Sequence, residues 1–181
     1  MEYIAEPKNP YQVSLQETVT DVLDYWDSRR GNLFAPNWGQ FKLDELPPQA
    51  VPWCSVLDVK HEPLDFVFRF WGSGRAQVLG QEVTGKSLTS VVDSNIAKST
   101  FDQNVMTMEQ RVPLFFDTVA APEYGDKVSY GVLRLPLSSD GTNVDKIFTI
   151  SFNPDVRDQL HSVFGTVPAF GLSGPKKLDE N

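Results

Sequence analysis

The sequence predicts an α+β fold: a five-stranded antiparallel sheet with helices on one face and a separate N-terminal helix flanking the sheet. Three observations predict it. Strand-like runs at 53–59 and 66–71 are separated by the turn-like Glu62-Pro63-Leu64-Asp65, which suggests an opening hairpin. Helical patterns then fill the chain until three further strand-like runs, at 112–119, 127–137 and 146–152. The alternating strand-helix rhythm of a parallel sheet is absent.

Residues 1–13 contain Pro7, Asn9 and Pro10 with few apolar side chains, and read as an extended arm. A helix over 15–30 follows, opened by Ser14 and Glu17 at capping-box spacing. Leu15, Val19, Val22, Leu23 and Trp26 recur on one face of it, with Glu17, Asp21, Asp24 and Asp27 mainly on others. Arg29 and Arg30 suit the negative end of its dipole, and Gly31 suits a left-handed cap. Pro36, Pro47, Pro48 and Pro52 leave room only for a helical turn around 43–46, so 14–50 reads as helix and linker before a domain at 51–153.

Within that domain, Gly72, Gly74, Gly80 and Gly85 limit 75–79 and 87–92 to short helical pieces. Residues 95–109 make a better helix, with Ile96, Phe101, Val105 and Met108 as its apolar stripe. Ser138-Ser139-Asp140-Gly141 supports a hairpin between the last two strands. A short helix at 155–163 and a flexible tail rich in Gly, Pro and Lys complete the reading of 154–181.

Apolar residues make up 40% of the 181 and aromatics 12%, enough to drive collapse of the chain. A net charge of -8 argues against nucleic acid and anionic membranes, which are held by clustered Lys and Arg. No stretch approaches the ~20 consecutive apolar residues that span a bilayer. The opening Met1-Glu2-Tyr3-Ile4-Ala5-Glu6-Pro7 lacks the basic start and apolar run of a secretory signal, and Cys54 alone forms no internal disulfide. The expected location is the cytoplasm.

Several motifs carry a family likeness. They are Tyr25-Trp26 and Arg30-Gly31 followed by Pro36, then Phe68-Arg69-Phe70-Trp71-Gly72 followed by Ser73. Further along come Gly80-Gln81-Glu82-Val83-Thr84-Gly85-Lys86, and Leu135-Pro136-Leu137 with Asp140-Gly141 and Val144-Asp145. In this order, over roughly 20–152, they resemble the PAS family, and more narrowly a bacterial, chiefly proteobacterial branch of single-domain PAS-like proteins. The chain departs from that branch at Asn37-Trp38 and Lys42-Leu43-Asp44. The resemblance implies a stand-alone sensory or protein-interaction module in signalling, without enzymatic activity. Its output would travel through a protein partner.

The strands are apolar on both faces: Phe148, Ile150 and Phe152 oppose Ile147, and Leu133, Leu135 and Leu137 oppose Tyr130 and Val132. The sheet therefore needs two covers. The helix of 15–30, through Leu15, Val19, Val22, Leu23 and Trp26, is expected to supply the second, within its own chain or across a homodimer. The inner face, under 95–109, is where the resemblance places a small ligand. Phe68, Phe70, Phe101, Val105, Phe115 and Leu133 are its candidate walls, and an ordinary packed core is the alternative. Arg69, amid Phe66, Phe68, Phe70 and Trp71, reads either as an anchor for a ligand carboxylate or as the structural partner of Asp58, Asp117 or an acid of the first helix. Arg134 invites the same two readings.

No cofactor is indicated. Haem would need a helical histidine near the pocket, but His61 sits by a turn and His161 lies beyond the last strand; flavin photoreceptors carry an Asn-Cys-Arg-Phe-like motif, which Cys54 lacks. Gly80 to Ser87 matches the bare P-loop pattern but follows a helical piece instead of a buried strand, which argues against nucleotide hydrolysis. Gly72-Ser73-Gly74 is not a nucleophile elbow. Two other functions stay open: a purely structural adaptor, and an isomerase or hydrolase on a cone-like α+β fold with Asp117 and Tyr130 as acid and base.

Overall fold

Every strand of the sheet has an apolar set for each of its two faces, and the chain folds so that both are buried. The computed structural model describes residues 6–91, 94–120 and 128–153. Its elements run α1 (Glu17–Arg30), β1 (Cys54–His61), β2 (Leu64–Trp71), α2 (Ser73–Leu79), α3 (Leu88–Val91), α4 (Ser94–Gln110), β3 (Leu114–Ala120), β4 (Val128–Leu137) and β5 (Lys146–Ile150). The five strands form one antiparallel sheet in the order β2-β1-β5-β4-β3. The hairpin of β1 and β2 closes through a cis Glu62–Pro63 peptide, and the expected helix at 155–163 lies outside the described residues.

The outer face is covered by α1 of the same chain. Val19, Val22, Leu23 and Trp26 pack with Cys54, Val56, Leu133, Leu135, Leu137, Phe148 and Ile150, while Leu15 lies half-buried at the edge of the cluster. Each fully buried large side chain is worth about 1.5 to 3 kcal/mol, which makes α1 part of the fold. The helix starts at Glu17 behind Gln16, whose side chain makes no capping bond, so the expected Ser14–Glu17 capping box does not form. Gly31 ends the helix with a φ of +55° but a ψ of -122°, a positive-φ conformation that is not the expected left-handed cap.

The linker extends this cover. Phe41 is buried between Tyr25, at a centroid distance of 5.2 Å, and Phe148, at 4.9 Å. Ser138 donates its N–H to the Pro36 carbonyl at 3.0 Å, which ties the linker to the β4–β5 hairpin. The expected extended arm contains a 3-10 turn at Pro10–Gln12 and is tied to the sheet: Lys8 exchanges backbone bonds with Phe115 of β3, and its ammonium pairs with Asp117.

The inner face carries Leu57, Val59, Phe66, Phe68 and Ile147, packed against Val83, Leu88 and Val91, with Phe101, Val105 and Met108 of α4 behind them. A β-bulge between Val56 and Leu57 shifts the register against β2, so Phe68 faces inward with Leu57 while Phe70 faces outward with Val56.

Candidate functional site

The register places one rung of side chains across four strands of the inner face: Trp71 beside Ser55, Ser55 beside Thr149, and Thr149 beside Arg134. On this otherwise apolar surface the rung is polar, and α2 and α4 add to it. Arg134 is 4% exposed. Its Nε and Nη2 donate to Gln103 Oε1 at 3.1 and 2.8 Å, and its Nη1 donates to Asn104 Oδ1 and Thr149 Oγ1, both at 3.0 Å. All of these acceptors are neutral.

Arg75 of α2 approaches from the other end. Its Nε donates to the Trp53 carbonyl at 2.8 Å and its Nη2 to Ser151 Oγ at 2.7 Å, and its guanidinium lies 5.0 Å from the Trp71 ring centroid. Ser151 accepts from Arg75 and Thr149, two residues earlier, from Arg134. Burial pulls the Arg134 pKa down to about 9, and the like charge of Arg75 adds to the fall. Burial also lowers Arg75, and it raises the nearby Tyr130 phenol. Neither arginine has a salt-bridge carboxylate among the described residues. Trp71 Nε1, Asn104 Nδ2 and Thr118 Oγ1 are buried without a hydrogen-bond partner there.

The proposed wall residues do not line one cavity. Phe68, Phe101 and Val105 share the inner cluster, whereas Phe70, Phe115 and Leu133 belong to the outer cluster beneath α1. For Leu133 and Phe115 the reason is the pleat: they pair with each other, opposite in facing to the adjacent Arg134 and Leu114. Arg69 is exposed, and its Nε donates to Asp58 Oδ1 at 2.7 Å; this is the structural pair among its two readings. Asp117 and Tyr130 cannot be the expected acid and base, because Asp117 pairs with Gly131 while Tyr130 pairs with Thr118, which puts the two side chains on opposite faces.

Sequence reading singled out Arg134 but missed Arg75, Gln103, Asn104 and Thr149. A signal existed in β5, where Thr149 and Ser151 alternate with Phe148, Ile150 and Phe152 and so mark the inner face as polar. The P-loop-like stretch forms no phosphate cradle. It follows α2, the Lys86 side chain is exposed, and its backbone carbonyl accepts from Phe68 at 3.0 Å along the free edge of β2. Cys54 is buried, its thiol 3.2 Å from the Ala50 carbonyl, and burial pushes its pKa up to about 12.

The antiparallel sheet has its helices inserted between the second and third strands, with a polar patch beneath them, which defines the α+β class of the chain. The family model for the PAS domain matches residues 15–151. The chain belongs to the PAS domain family, whose members are generally sensory or signalling modules and typically non-catalytic. No curated protein matches the chain. Among the described residues, no helix is long and apolar enough to cross a membrane.

Proposed function

We propose that this protein is a sensory module that binds a small molecule between the inner face of its sheet and helices α2 and α4, and reports occupancy to a protein partner. The observation that carries this reading is the polar rung of Trp71, Ser55, Thr149 and Arg134. Two like-charged guanidinium groups with no carboxylate among the described residues, and three polar atoms buried there without partners, are costly in a purely structural core, where such groups are ordinarily paired. A ligand that completes those bonds would offset the cost. The family's general signalling role supports the reading of a protein partner.

Native mass spectrometry of the purified full chain, followed by a thermal-shift screen of metabolites, tests the reading. A specific ligand raises the melting temperature by mass action. A chain that carries no added mass and responds to no compound in the screen is a structural adaptor instead.

A further inference from the structure

The chemistry of the groups left over at the rung narrows the ligand. A guanidinium has five N–H donors. Arg134 makes four bonds, and all go to neutral acceptors. Arg75, which is half-buried, makes two, to a carbonyl and a hydroxyl, and keeps three N–H donors without a protein partner among the described residues. Trp71 Nε1 and Asn104 Nδ2 are donors only, and Asn104 is fully buried. Of the unpartnered buried atoms, Asp145 Oδ1 lies away from the rung, beside Lys146 at the start of β5; those on the inner face are the donors Trp71 Nε1 and Asn104 Nδ2 and the hydroxyl Thr118 Oγ1, which can also accept. They surround two like charges that no carboxylate of the described residues neutralises. An acceptor-only anion is the complement of such a site. Beside the rung the same face is apolar, through Phe66, Phe68 and Phe101, which suits a carbon skeleton attached to the anion.

From this geometry we infer that the inner face takes a small organic carboxylate, its oxygens held by Arg75 together with Trp71 Nε1 and Asn104 Nδ2, with Arg134 as the second cation behind them. The inference rests on the small-molecule reading above and specifies its ligand class.

The test titrates the full chain with a series of aliphatic carboxylates from propionate to hexanoate, with the matching neutral amides, and with inorganic phosphate, following the melting temperature and the heat of binding. At least one carboxylate is expected to bind ten or more times more tightly than its amide and than phosphate. Arg75→Gln should reduce that affinity at least tenfold and leave the amide's unchanged. Trp71→Phe supplies a second variant: it removes a buried donor that has no partner in the ligand-free chain, so the fold is retained while carboxylate affinity falls. Amides that bind as well as carboxylates would overturn the anion assignment and leave the small-molecule reading standing. Phosphate binding more tightly than every carboxylate would overturn the carboxylate in favour of an inorganic anion. Full carboxylate affinity in both variants would overturn the site. No binding by any member, together with no response in the wider screen, overturns both readings.

Discussion

Trp26 of α1 donates its indole N–H to the carbonyl of Pro136 in β4 at 2.9 Å, a buried bond that joins residues 110 apart in the chain. It pins the N-terminal helix to the sheet in one orientation, where apolar packing alone would permit sliding. Trp26→Phe keeps most of the packing and removes the donor. Urea denaturation should show a loss of about 1 to 3 kcal/mol with an unchanged slope. A loss near zero would mean that the bond contributes only orientation.

Deleting residues 1–31 strips the cover from Leu133, Leu135, Leu137, Phe148 and Ile150. The truncated chain should associate or aggregate, because an exposed apolar face of this kind is a docking surface for further copies. Light scattering after size exclusion reads the result. A monomer with the full-length melting temperature would show that α1 is dispensable.

Gly72 is required for room. A Cβ there would lie 2.3 Å from the Pro52 carbonyl oxygen and 2.7 Å from that of Val51, both backbone atoms that cannot swing aside. Its φ of -64° suits any residue, so Gly72→Ala isolates the steric effect. The expected loss is about 1 to 3 kcal/mol or more by thermal or urea unfolding. An unchanged stability would place the segment before β1 farther from α2 than described.

Cys54 gives a pH dependence whose sign is determined. Its thiol titrates near 9 when unfolded and is pushed up to about 12 by burial. The unfolded chain therefore releases a proton first, and the stability contributed by the neutral thiol is complete below pH 9 and declines as pH rises from 9 toward 12. Cys54→Ala should flatten that part of the wild-type stability curve, measured by urea unfolding at successive pH values. Iodoacetamide at pH 8 should modify the native chain far more slowly than the urea-unfolded one. Equal rates would refute the buried setting.

Lys86→Ala tests the P-loop likeness. The exposed side chain should contribute less than about 0.5 kcal/mol to stability, and ATP should shift the melting temperature of neither protein. An ATP-dependent shift lost in the variant would restore a nucleotide site.

The two-sided sheet and its two covers were legible because Phe148 and Ile147, and Leu133 and Val132, stand at alternating positions, and a regular strand keeps that alternation. The split of the proposed wall was not legible. It depends on the bulge between Val56 and Leu57, which places Phe68 and Phe70 on opposite faces although two residues normally share one, and no residue type announces that extra step. Arg75 was hidden for a different reason: its meeting with Ser151 joins segments 76 residues apart, which only the folded sheet brings together. The capping box failed although its spacing was right, since Gln16 and not Ser14 occupies the position before the helix.

On β4, the residue that looks inward at the guanidinium cluster and the residue that anchors the outer helix are Arg134 and Pro136. Along an extended strand they stand about 7 Å apart. The two packed faces thus hang from one short length of the same backbone, and Phe34 packs against both clusters. The covalent path from a bond made on the inner face to the bond that holds the outer helix is therefore two residues long.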